Sequence, residues 1–141
     1  MAGLTPTYTN DQAIEDYRWL ADLDGLENAE SVTLDSVSLS VAGGHRLQNW
    51  LKSGTPLGQI TAAGAKKGQY GLHDPAATDG REKHIGFLKA ELQLVDPRTG
   101  VANTPLSGAM LNHGQINFRL LPVAFDPALP TSNVAHFRYR G

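Results

Sequence analysis

The chain has 141 residues, no cysteine and a formal net charge of −2. That length can bury a core without covalent staples, and the lack of cysteine excludes disulfides, thiol catalysis and thiolate metal sites. Fifteen glycines and eight prolines, with no apolar run near the ~20 residues of a bilayer-spanning helix, point to one domain of short strands and many turns.

The start, MAGLTPTYTNDQ, lacks a basic stretch and an apolar centre, so it does not read as a signal peptide. Residues 1–10 form an extended arm: Thr5, Thr7, Tyr8 and Thr9 favour extended backbone around Pro6, with too few apolar side chains to order themselves. Residues 11–24 are the best helical candidate. Ala13, Ile14, Tyr17, Leu20 and Leu23 share one face, Asn10 or Asp11 can cap it, and Gly25 follows its end. Residues 31–41, SVTLDSVSLSV, read as a tight hairpin turning at Asp35-Ser36, or as one strand with a bulge. Arg46 to Lys52 is a strand or helical turn, and Leu57 to Ala62 is a strand. Asp74 to Gly80 is a long turn, opened by Asp74-Pro75 and closed by Asp79-Gly80. His84 to Val95 is the strongest strand, with Leu88, Ala90, Leu92 and Leu94 on one face. Ala109 to Leu121 holds a strand or a pair bent at Asn112-His113-Gly114, and Val134 to Tyr139 a final strand or adhesive tail.

Charge is laid out unevenly. Residues 1–35 carry eight acids against Arg18 alone, a net of −7, and the remainder carries eleven Lys and Arg against six acids, a net of +5. An acidic front suits a basic surface on the body or on a partner, or is simply a solvated face. No basic stripe carries interleaved aromatics, which disfavours nucleic-acid binding.

Catalytic patterns are missing. The histidines at 45, 73, 84, 113 and 136 form no HxH or HExxH pair. A discontinuous site of His73, Asp74 and His84 is the metal reading that the spacing leaves. There is no Walker spacing around Lys66-Lys67 and no GxSxG. The expectation is a non-enzyme with no cofactor and no metal. Trp50 reads as core. Trp19 is either core or, beside Leu20 and Leu23, the anchor of an interface.

One stretch carries a family likeness. Gly54-Thr55-Pro56-Leu57-Gly58, Ile60-Thr61, Asp74-Pro75-Ala76-Ala77-Thr78-Asp79-Gly80, Ile85-Gly86-Phe87-Leu88 and Leu111-Asn112-His113-Gly114-Gln115-Ile116-Asn117 occur in this order. The order resembles the lambda-type head decoration proteins of tailed bacteriophages, over roughly residues 47–122. The resemblance implies a compact, β-rich α+β body, to which the spacing above adds one N-terminal helix and extended terminal arms. Together these readings divide the chain into an arm (1–10), an acidic helix-plus-hairpin extension (11–46), the body (47–122) and a C-terminal extension (123–141). The resemblance also implies a homotrimer, made in the host cytoplasm, that sits on the outer capsid surface at local three-fold sites. There it would bind the major capsid protein and stabilise the expanded shell, with no role for nucleic acid or membrane. The arm of such proteins pairs with a capsid strand. That role falls here on Thr5, Pro6, Thr7, Tyr8 and Thr9, with Trp19 and Leu20 as docking residues. Residues 11–46 and the stretch after Pro122 are additions to the lambda-type pattern. The alternatives are a virion-displayed host-surface or carbohydrate-binding β module, and a small hydrolase with a discontinuous site.

Overall fold

A computed structural model describes residues 18–21, 29–102, 106–128 and 136–140. In chain order the strands are β1 (Glu30–Leu34), β2 (Arg46–Leu47), β3 (Trp50–Leu51), β4 (Pro56–Gln59), β5 (Tyr70–Leu72), β6 (His84–Leu88), β7 (Leu92–Gln93), β8 (Leu106–Leu111), β9 (His113–Asn117) and β10 (His136–Arg140). A single helical turn, α1 (Ser36–Leu39), follows β1, and a 3-10 turn (Phe118–Leu120) follows β9. The fold is β-rich α+β, as the sequence leads one to expect.

Five strands close a barrel in the order β1-β5-β4-β6-β8. Neighbours are antiparallel except β1 and β5. Closure comes from β1 on β8, in register from Glu30↔Met110 to Leu34↔Leu106. Along β1 the buried Val32 and Leu34 alternate with exposed Ser31 and Thr33, the period-two pattern of a strand with one wet face. With Leu39, Leu51, Leu57, Ile85, Leu88, Leu94, Leu106 and Met110 they form the first core. Two smaller sheets flank the barrel: β2-β3-β7, and the parallel pair β9-β10.

Three sequence expectations are corrected. Asp35-Ser36 is not a hairpin turn. Asp35 is the N-cap of α1, its carboxylate accepting the Val37 N–H at 3.2 Å, a position that favours Asp. Its own N–H donates to the Tyr70 carbonyl at 2.7 Å. β1 therefore ends in the barrel, and the stretch 30–34 belongs to the body rather than to an added extension. Residues 18–21 are not helical either. Leu20 bridges Ile116 of β9 in antiparallel fashion; the rest of 11–24 lies outside the described residues. The long strand at 84–95 is two pieces. β6 stops at Leu88, and the chain crosses into β7 of the other sheet, which still returns Leu94 to the barrel core.

A bulge in β6 organises everything above the barrel. Pairing with β4 runs Leu57↔Gly86 and then Gly58↔His84, so Ile85 is the extra residue. An extra residue reverses the alternation of faces. Ile85 and Leu88 both serve the barrel core, while His84 and Phe87 meet outside it with ring centroids 4.4 Å apart. Gly86, between them, has no room for a side chain: a Cβ would lie 2.5 Å from the Leu111 carbonyl oxygen and 2.6 Å from Met110 Cγ. Gly86→Ala is expected to cost about 1–3 kcal/mol by overpacking, read as a lower urea midpoint; an unchanged midpoint would contradict this close approach.

Candidate functional site

Outside the barrel, Phe87 of β6 seeds a second core of Trp19, Leu111, Ile116, Leu121 and Phe125, with Phe137 and Tyr139 packed against it. It gathers pieces distant in sequence: the segment at 19–21, β9, the stretch after Pro122, and β10. Phe87 stands edge-on to Phe125 at 5.4 Å and to Phe137 at 5.0 Å, the preferred geometry for aromatic pairs.

The N-terminal segment enters this layer by strand addition. The Ala21 N–H donates to the Gln115 carbonyl at 2.9 Å, and the Asn117 N–H donates to the Trp19 carbonyl at 2.7 Å. The indole of Trp19 turns inward and is 1% exposed. Its Nε1–H donates to Ser53 Oγ at 3.1 Å, and Ser53 Oγ–H donates to the Lys89 carbonyl at 2.7 Å. This chain of hydrogen bonds pins the segment to the loop before β4 and to the end of β6. Trp19 and Leu20 are therefore part of this subunit's own packing, not an exposed docking surface. Thr5, Pro6, Thr7, Tyr8 and Thr9 lie outside the described residues.

His73 and His84 come together at a ring distance of 5.5 Å. His73 Nδ1–H donates to the Arg81 carbonyl at 2.8 Å, leaving Nε2 as a buried acceptor without a partner among the described residues. His84 is fully buried, and neither of its ring nitrogens meets a partner among the described residues. Its ring and that of Phe125 meet edge to face at 4.8 Å. Burial holds His84 neutral and pushes its pKa down to about 3, with the neighbouring His73 charge adding to the effect and the Gly86 backbone opposing it. His73 is lowered by burial too, against the Arg81 carbonyl and the Asp74 charge. Asp74 does not complete a metal set: its Oδ1 accepts the Ala76 N–H at 3.0 Å. No group of three or more potential ligands occurs among the described residues.

An open cleft of about 520 Å³ lies beside α1, lined in part by Asp35, Lys66, Asp79 and Arg81. Both of its cations are already engaged, Lys66 with Asp35 at 3.2 Å and Arg81 with Asp79 at 3.0 Å. Among the described residues its lining holds no Phe, Tyr or Trp on which a sugar ring could stack.

Sequence reasoning missed two groups. Phe125, Phe137 and Tyr139 close the histidine layer, and only the alternation in the last strand hinted at their shared face. On the opposite face of β10, Arg138 and Arg140 are exposed, in register with Gln115 and Asn117 of β9. Exposed Arg119, in the 3-10 turn that packs on β10, adds a third cation. Comparison with protein-family models, curated proteins and solved structures finds no match to this chain.

Proposed function

We propose that the chain is a capsid decoration protein, binding the outside of a phage head as a trimer at local three-fold sites and stabilising the expanded shell. The observation that carries this reading is the strand-added segment at 19–21. It roots the N-terminal stretch in the body through backbone hydrogen bonds to β9 and the buried Trp19. A rooted leader can add to a strand of the major capsid protein by the same main-chain chemistry, which asks little of its side chains. Closure of the barrel uses up the edges of its five strands, which leaves strand addition to the leader and the flanking sheets. Three leaders per trimer would multiply the affinity of one. The ordered motif match over residues 47–122 supports the same reading. The carbohydrate alternative gains nothing from the cleft, for want of an aromatic platform among the described residues.

Deletion of residues 1–10 is expected to leave the thermal midpoint of the free protein unchanged, because Trp19 and Leu20 remain in place. Co-sedimentation with expanded phage heads is expected to be lost. Full binding by the truncated chain would refute the leader's role.

A further inference from the structure

We propose that the outward face of the β9–β10 sheet, with Arg119, Arg138 and Arg140, is a docking surface for carboxylates of a partner protein. The inference rests on the decoration reading above, in which that partner is the major capsid protein and this face meets the shell.

Register defines the face. In the parallel ladder Arg138 lies beside Gln115 and Arg140 beside Asn117, and Phe137 and Tyr139 alternate with the arginines. Phe137 and Tyr139 pack against the second core with buried Ile116, so the arginines point away from it. Arg119, Arg138 and Arg140 are all exposed. The segments that carry the face, HGQIN, FRL and HFRYR, contain no Asp or Glu. None of the three arginines forms an ion pair with a described carboxylate, whereas Lys66, Arg81 and Arg98 each do. The face thus holds uncompensated positive charge on a chain whose formal net charge is −2. Arg138 and Arg140 stand about 7 Å apart along one strand. The Arg119 guanidinium lies over the Phe118 ring at 5.7 Å, which steadies it. Guanidinium forks suit the paired oxygens of carboxylates, and arginine is enriched where proteins meet. Next to Arg119, Leu120 is 40% exposed and adds an apolar contact.

Position points the face at the shell. The Asn117 N–H donates to the Trp19 carbonyl, and the Ala21 N–H to the Gln115 carbonyl. From Ala21 back to Arg18 the added segment therefore runs toward the end of the sheet where Arg119 and Arg140 stand. The leader is tethered at that end. A body surface at its root is held near whatever the leader grips, at a high effective concentration. Chemistry favours protein over nucleic acid as the partner. Single strands are bound on aromatic platforms set among cations, and here the aromatics of β10 are turned into the core.

The test is co-sedimentation of the full-length protein with expanded tailed-phage heads, beside retention on immobilised poly-L-glutamate and on immobilised DNA. R138E/R140E is expected to keep the wild-type urea midpoint and to bind heads roughly 100-fold more weakly, as like charges meet across the contact. R138Q/R140Q is expected to lose about tenfold and to show a shallower decline of binding with salt. K67E/K83E makes the same change in net charge at exposed lysines in the loops before β5 and β6, and is expected to bind as the wild type does. Should the reversal unfold the chain, the glutamine pair decides. Undiminished head binding by the arginine variants would overturn the inference and spare the decoration reading, and an equal loss in K67E/K83E would do the same. A wild type that ignores heads would sink the decoration reading. The face is then judged on poly-L-glutamate, where retention lost in R138E/R140E supports it and equal elution of the two proteins overturns it. Stronger retention on DNA than on poly-L-glutamate at equal salt would assign the face to phosphates, and would also overturn it.

Discussion

Trp19→Ala is expected to lower the unfolding free energy of the isolated chain by about 3–5 kcal/mol, the usual cost of truncating a buried aromatic. The indole is 1% exposed and packs on Phe87 at 5.6 Å. It also closes against Gly54, where a Cβ would come within 2.9 Å of Nε1. Truncation opens a cavity between β6 and β9 and removes the donor to Ser53 Oγ. Trp19→Phe separates the two effects. It keeps most of the packing and loses the hydrogen bond, at a cost of about 1–3 kcal/mol. Urea denaturation of the free protein measures both. A Trp19→Ala midpoint equal to wild type would mean that the segment at 19–21 does not belong to the body. Shell binding by Trp19→Ala should fall only as far as its folded fraction falls, since the residue faces inward.

The second large effect is on pH. The folded-state pKa of His84 is depressed from 6.5 to about 3, so the unfolded chain takes up this proton first. The stability due to neutral burial is thus complete above pH 6.5 and is lost as pH falls towards 3, at about 1.4 kcal/mol per pH unit. Between pH 7 and pH 4.5 His84 alone is expected to cost about 3 kcal/mol. His73 and His45 are lowered by burial and act in the same direction. Asp79, held low by Arg81 despite its desolvation, contributes only at lower pH, below its ordinary 3.8. Groups facing the pair from the packed elements are Arg81 and Asp74 beside His73 and, across Phe125, the Tyr139 hydroxyl, whose pKa burial pushes up to about 12. His84→Phe replaces an imidazole already surrounded by Phe87, Phe125 and Phe137, and is expected to remove one proton's worth of this slope. Guanidinium unfolding at several pH values between 7 and 4.5 checks it. An unchanged slope in His84→Phe would show that this imidazole does not carry the effect.

Much of the barrel was legible in the sequence because its signals are local. The Asp74-Pro75 and Asp79-Gly80 pairs bracket a real turn. Gly80 has φ +115°, and a Cβ there would meet the Gln59 carbonyl oxygen at 2.4 Å, so the glycine is required twice over. Ile85-Gly86-Phe87-Leu88 is a strand, and the bend near Asn112 separates β8 from β9 as expected. The errors fall where tertiary contacts outweigh local preference. Leu20 has helical spacing with Tyr17, yet backbone bonds to β9 and burial of Trp19 draw it into a bridge. Val37, Leu39 and Val41 alternate like a strand, but a cap at Asp35 winds Val37 and Leu39 into α1, leaving Val37 exposed and Leu39 buried. The bulge at Ile85 has no sequence mark, and without it the meeting of His84, Phe87 and Phe125 could not be foreseen. The parallel pairing of β9 with β10 joins segments about twenty residues apart, beyond the reach of periodicity.

The most direct test of the decoration reading is quantitative co-sedimentation of the wild-type chain, and of the chain lacking residues 1–10, with expanded and unexpanded tailed-phage heads. The account predicts saturable binding in multiples of three per local three-fold site, on expanded heads alone and only with the leader intact. Equal binding to both kinds of head, or undiminished binding by the truncated chain, would contradict it.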